Sequence, residues 1–214
     1  THSPTSNGEG LTTLAVGTFH TGDADAWVKS ITIWNEALSD TFVQGMRWDP
    51  PLPSMLPSPV FEVDFGDASH QSMYTLHKGA HIGSVGNIEA LRVGGGKHAT
   101  LPININPSSM TDCTIEIWFK LLTVNGLGWL VSTDNGGYDR GVIVHDSRFG
   151  GGVAPIPGAA YNSGLPAPTL NEWSHVVVVY RQGGESAAFL NGVKSNTHSP
   201  TSNGEGLTTL AVGT

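Results

Sequence analysis

Short runs of β-branched and aromatic residues recur along the chain, with glycine, asparagine, proline and serine between them. The runs are VFEVDF, EALRVG, CTIEIWFKLL, WLVS, GVIVHD, HVVVVY, AAFLNGV, TTLAVG and VKSITIW. Such runs predict β-strands, and the clusters between them predict turns. Only residues 35–45 (NEALSDTFVQG) predict a short helix, capped by Ser39 or Asp40 with Gly45 beyond its end. The pattern predicts an all-β fold, a β-sandwich or a jelly roll.

Local patterns assign the faces of some strands. In the run TDCTIEIWF, the single cysteine, Cys113, shares one face with Ile115, Ile117 and Phe119. We therefore expect a buried thiol, with a reactive thiol or an intermolecular disulfide as the alternatives. The pair Asn191-Gly192 follows a strand run and predicts a two-residue hairpin turn, because both central positions of that turn need a positive φ.

The chain carries an exact duplication. Residues 1–18 and residues 197–214 both read THSPTSNGEGLTTLAVGT, an offset of 196 positions. An identity of this length indicates a window on a tandem array with that period. The alternative is a circular permutant in which one segment has been doubled.

A proline-rich stretch divides the chain. Residues 47–59 (RWDPPLPSMLPSP) favour extended polyproline II backbone and therefore predict a stiff linker. We assign residues 1–46 to the C-terminal strands of a preceding repeat. Residues 60–214 are then the N-terminal and central part of the next repeat.

Charge and composition narrow the function classes. The chain has 10 lysines and arginines against 18 aspartates and glutamates, which gives a formal net charge of −8. This balance argues against binding nucleic acid or an anionic membrane. No apolar stretch is long enough to insert into a bilayer. Only 13% of the residues are charged, and glycine and proline are frequent, which suits an all-β module located outside the cell or at its surface.

Four stretches together resemble a known family. They are EALRVGGGKHATLPI at residues 89–103, TIEIWFKLL at 114–122, NEWSHVVVVYRQGGESAAFLNGV at 171–193 and VKSITIWNEALSD at 28–40. In this order the unit resembles a laminin G-like domain of the concanavalin A-like lectin/glucanase superfamily. The resemblance implies a two-sheet antiparallel jelly-roll sandwich. It also implies that residues 28–40 hold the closing strand and the Ala-Leu-Ser turn after it, so that the chain begins inside one domain.

The resemblance also gives the duplication a structural meaning. The segment TLAVGT is then the penultimate strand of the domain, and it is present twice. Neighbouring copies of the repeat are therefore the expected partners, joined covalently in an array or by strand exchange; the sequence leaves both open. The apolar residues that we expect to mediate assembly are Leu11, Leu14, Val16, Leu207, Leu210 and Val212.

Catalysis is not expected. Related glucanases carry paired carboxylates on one strand, and Glu62 and Asp64 superficially resemble such a pair. These carboxylates alternate with Val63 and Phe65, which is the pattern of a first strand with one solvent-facing side. The sequence predicts a non-catalytic protein.

Calcium is a candidate cofactor because laminin G-like domains often bind it through several oxygen ligands. The position at which relatives place an aspartate is Lys29 in this chain, and its ammonium would repel the cation. A second candidate is the turn STDNGGYD, where Asp134 and Asp139 flank two glycines. Turns also use such residues to bond their own backbone.

Glycans are a candidate ligand in place of a purely structural role. Carbohydrate binding needs an exposed aromatic ring beside polar groups. Trp129, Tyr138 and Tyr161 lie in or near glycine-rich loops and are the candidates, although a buried, structural role is favoured for each. The sequence thus supports an extracellular structural or adhesive repeat, with a lectin-like module as the alternative.

Overall fold

The computed structural model describes residues 23–46, 57–133, 139–145, 152–154, 164–181, 186–196 and 206–213. These residues contain one α-helix, α1 (Asp40–Gly45), a 3-10 helix (Ala68–Met73) and fourteen β-strands. The strands are β1 (Asp23–Trp34), β2 (Phe61–Asp64), β3 (Thr75–His77), β4 (His81–Val85), β5 (Ile88–Val93), β6 (His98–Leu101), β7 (Cys113–Asn125), β8 (Leu127–Ser132), β9 (Gly141–His145), β10 (Gly152–Ala154), β11 (Trp173–Tyr180), β12 (Ala187–Leu190), β13 (Val193–Lys194) and β14 (Leu210–Val212).

The strands form two antiparallel sheets. The larger sheet has the order β13-β12-β11-β7-β1-β5-β4, and β2 also pairs with β1. The smaller sheet has the order β10-β9-β8-β14-β6-β3. The predicted two-sheet sandwich is confirmed. In this chain β1 belongs to the same sandwich as the strands that follow residue 57. The assignment of residues 1–46 to a preceding repeat stays a prediction.

The main core lies between the sheets. On β7 the inward residues alternate as predicted, and Cys113, Ile115, Ile117 and Phe119 are all fully buried. Burial raises the pKa of the Cys113 thiol to about 12, so that the thiol stays protonated at neutral pH. On β2 and just after it, Val63 and Phe65 are likewise buried.

The helix covers part of the outer face of the larger sheet. The side chain of Ser39 caps α1 by accepting from the N–H of Phe42, and Gly45 is its last residue. Its Val43 packs in a second apolar cluster on this face. Burial works to raise the pKa of Asp40, but bonds from Lys194 and Arg181 outweigh burial and lower it.

Two further local features position the chain. Asn191 and Gly192 have φ values of 49° and 79°, so the predicted hairpin turn between β12 and β13 is confirmed. The indole of Trp34 donates to the carbonyl of Pro57 at 2.9 Å, which fixes the last residues of the predicted linker against β1. Residues 47–56 of that linker lie outside the described residues.

No helix in the described ranges is long and apolar enough to cross a membrane.

A buried arginine ties a long connection to the core. Arg140 is fully buried and donates to the carbonyls of Ile105, Met110 and Thr111 at 2.6–2.9 Å. Its guanidinium also lies over the ring of Tyr180, 5.1 Å from the centroid. These bonds satisfy three carbonyls in the segment between β6 and β7 and hold that segment in one conformation.

The close contact of the two sheets generates a stability prediction. A Cβ built on Gly128 of β8 would lie 2.3 Å from the Cβ of Ala24 on β1, whereas a Cβ on Gly45 would meet nothing within 4 Å. We expect Gly128→Ala to lower the free energy of unfolding by about 1–3 kcal/mol through overpacking. The matched Gly45→Ala should raise it by about 0.5–1 kcal/mol. Urea unfolding of both variants measures the difference, and equal effects would show that the Gly128 contact relaxes.

Candidate functional site

The structure accounts for some of the residues predicted to bind calcium or glycans. Asp134, Tyr138 and Tyr161 lie outside the described residues. Trp129 is only 7% exposed and belongs to the main core. All six residues of β8 are buried, and the Trp129 ring packs over the backbone of Gly141 on the neighbouring strand. The ring offers no exposed face to a sugar, which corrects its assignment as a glycan candidate.

The second calcium candidate is only partly visible. Asp139 is 1% exposed and packs against Gly206, where an added Cβ would lie 2.9 Å from the Asp139 Cβ. Within the described residues, no group of three or more histidine, cysteine or carboxylate side chains is placed to hold a metal ion. Calcium at Asp134 and Asp139 therefore stays a prediction.

The described residues around Lys29 do not fit a cation. Lys29 lies at a bulge of β1, between Val28 and Ser30 in the pairing with β7. Its ammonium pairs with Oδ1 of Asp64, and the N–H of Gly66 donates to the same oxygen at 2.7 Å. An ammonium and an amide thus occupy the carboxylate that could have contributed a metal ligand.

The predicted assembly residues of the second repeat copy lie in one place. We call the position between β8 and β6 in the smaller sheet, which β14 fills, the β14 slot. Leu210 and Val212 are fully buried there, and Leu207 is partly buried just before the strand. Ala211 pairs with Thr100 on one side. Leu11, Leu14 and Val16, the equivalent residues of the first copy, lie outside the described residues.

Glycines and an asparagine define the ends of the β14 slot. Gly206 donates to the Asn106 side chain at 2.9 Å and accepts from it at 2.8 Å. A Cβ at Gly206 would lie 2.3 Å from the carbonyl oxygen of Thr133. At the other end Gly213 has a φ of +75°, and its Cβ would lie 2.1 Å from the Cβ of Val93. The β14 slot therefore requires glycine at both of its ends.

A second arrangement lies on the outer face of the larger sheet. Pairing aligns one residue from each of five adjacent strands, β4, β5, β1, β7 and β11. We call these residues the aromatic–cation row: His81, Arg92, Trp27, Lys120 and Trp173. Neighbouring strands are about 4.8 Å apart, so the two tryptophans flank Lys120 at a strand separation of about 10 Å.

Electrostatics distinguish the two cations of the row. Arg92 makes a two-pronged bond to Asp25, at 2.7 and 3.0 Å, and lies 5.6 Å from the centre of the Trp27 ring. Lys120 has no ion pair among the described residues. Trp27, Lys120 and Trp173 are all half-buried, so their outer surfaces stay accessible. The row therefore presents one uncompensated positive charge between two indole rings.

A neighbouring set of residues has a packing role. The ring of Trp118 stacks on His175 with centroids 4.6 Å apart, and His175 Nε2 lies 2.7 Å from a Glu116 carboxylate oxygen. Trp118 therefore has a packing role, whereas Trp173 lies half-buried in the aromatic–cation row. Sequence reasoning missed Trp27 and Lys120 as a pair. The alternation of Trp27 with buried Ala26 and Val28 marks an outward ring, but the cross-strand register is not visible in sequence.

The comparisons with known proteins identify the fold family. A laminin G model described as the Concanavalin A-like lectin/glucanases superfamily matches residues 93–213, more than half of the chain. No curated protein sequence matches the chain. Among solved structures it is similar to the one titled "Crystal structure of the binding domain of Paraclostridial Mosquitocidal Protein 1", with a TM-score of 0.45 and 18% identity. That alignment covers 87% of this chain and 44% of that chain, so the chain spans less than half of the solved structure. The chain belongs to the concanavalin A-like lectin/glucanase superfamily, as a laminin G-like domain.

Proposed function

We propose that the chain is a unit of a non-catalytic, extracellular structural or adhesive repeat protein. Its laminin G-like sandwiches are joined through stiff proline-rich linkers or by strand exchange into a fibre or surface filament. The duplication carries this proposal: residues 1–18 precede β1, and the identical residues 197–214 contain β14. The strands β1 and β14 belong to the two sheets of the same sandwich.

The positions of these strands support an array. Gly213 touches Val93, and Val93 pairs with Ala26 near the beginning of β1. A chain that continued after residue 214 as it continues after residue 18 would reach β1 through Phe-His-Thr-Gly. In an array with the 196-residue period, β14 and β1 of each sandwich would therefore be consecutive strands of one continuous chain. The proline-rich segment would separate one sandwich from the next.

The proposal predicts the covalent size of the native protein. The 214 residues have a mass of 22.5 kDa. In an array, the intact mass under reducing and denaturing conditions should lie far above this value. Mass spectrometry of the protein from its natural source measures it, and a single species near 22.5 kDa would exclude the covalent array and leave strand exchange.

A second function, binding of an acidic glycan, is favoured by the aromatic–cation row. Indole rings stack on the apolar faces of sugar rings, and a lysine without a carboxylate partner attracts a carboxylate or sulfate group. The two indoles and Lys120 lie on one accessible face, away from α1. This face differs from the loop aromatics that the sequence suggested.

The glycan function has its own test on a glycan array of acidic and neutral sugars, with and without a chelator. We expect binding to acidic glycans, reduced about tenfold by Trp27→Ala or Lys120→Ala, a loss of about 1.4 kcal/mol. Val193→Ala, at a 54% exposed position on the edge strand β13, is the control and should bind as the wild type does. Absence of binding to every acidic glycan would leave only the structural role, and loss of binding with chelator would point to calcium.

A further inference from the structure

We propose that the β14 slot is a strand-exchange site that accepts residues 10–17 as well as residues 206–213, from the same chain or from a second copy. This inference deepens the proposed function and shares the duplication with it. It does not need a covalent array, because it concerns which of two identical segments fills one position of the sandwich.

The first step is that the β14 slot selects a sequence. It requires glycine at positions 206 and 213, where a Cβ would lie 2.3 Å and 2.1 Å from neighbouring atoms. It also buries the apolar side chains of Leu210 and Val212 completely. Residues 206–213 read GLTTLAVG, and residues 10–17 read GLTTLAVG as well. Every contact that holds the second copy is therefore available to the first.

The second step is that the first copy can reach the β14 slot. The C-terminal end of the slot lies at Gly213, which contacts Val93, and Val93 pairs with Ala26 of β1. Residues 18–22 connect the first copy to β1, and five extended residues span up to about 17 Å. The second copy is connected to the last described residue of its β-hairpin, Asn196, by residues 197–205. Short connections of both kinds have a small closure entropy.

The third step concerns competition. The described strands form one β14 slot, and residues 10–17 and residues 206–213 both have the sequence that fits it. A segment that does not fill the β14 slot of its own chain can enter that of a second copy with the same hydrogen bonds and the same buried side chains. Because the contacts are equal, the local concentration of the competing segments decides the outcome, and linked neighbours favour exchange between them.

Matched glycine variants test exchange within one chain. Gly213→Val blocks the second copy and Gly17→Val blocks the first, because a β-branched side chain tolerates neither the close Val93 contact nor a φ of +75°. We expect each single variant to melt within about 2 °C of the wild type, and the double variant to melt about 10 °C or more below it. If Gly213→Val alone loses as much as the double variant, only residues 206–213 fill the β14 slot and the proposal is wrong.

A cysteine pair tests exchange between copies. Thr100 lies opposite Ala211 in the pairing of β6 with β14, so chains carrying Thr100→Cys are mixed with chains carrying Ala211→Cys and oxidised. We expect a disulfide-linked dimer whose yield rises with concentration, while buried Cys113 stays unmodified. The control donor carries Ala211→Cys together with Gly213→Val and should give no dimer. A dimer that forms equally with the control donor, or no dimer at any concentration, overturns exchange between copies.

These tests separate the inference from the proposed function. A native mass near 22.5 kDa would remove the covalent array without changing the behaviour of the glycine variants. Conversely, a Gly213→Val variant as unstable as the double variant would remove exchange and leave an array of independently closed sandwiches.

Discussion

The pairing of β1 with β7 is the interaction on which the rest of the structure depends. Its register runs from Asp23 opposite Asn125 to Trp34 opposite Thr114. β7 joins β1 to β11 on its other side, while β1 joins β7 to β2 and β5. Without β1, the larger sheet would separate into three parts, and the inner face of the sandwich would lose Ala26, Val28 and Ile31. The partners are about 90 positions apart in sequence, so this contact closes a long loop and depends on a cooperative core.

The same pairing positions both candidate sites. The beginning of β1 brings Trp27 beside Lys120 and lies next to the end of the β14 slot at Gly213. The end of β1 leads into α1, which covers the outer face at the opposite end of the sheet. One strand thus separates a covered apolar surface from an accessible aromatic and cationic one, while its bulge between Val28 and Ser30 places Lys29 against Asp64.

Much of the fold was predictable because local patterns carry it. Period-two alternation identified the inward face of β7, and Asn191-Gly192 specified a turn whose dihedral angles only a few residues adopt. The site was less predictable because it depends on pairing between distant strands. Nothing near Trp27 in sequence indicates that Lys120 and Trp173 lie in its row. The sequence named Trp129 as a glycan candidate while favouring its burial, and the ring is buried because β8 is buried along its whole length, which a glycine-rich neighbourhood conceals.

The adjacent ends of β1 and β2 have a mechanical consequence. Ile33 lies opposite Phe61, Val60 donates to the carbonyl of Ile33 at 2.8 Å, and the two strands run antiparallel. In an array, the chain would enter each sandwich through β2 and leave it after β1 and α1, so tension would act on both strands from the same end. Such a pull opens an antiparallel pair one hydrogen bond after another instead of shearing all of them at once. A filament of these sandwiches would therefore lengthen under load by opening its units in turn, which would make it an extensible tether.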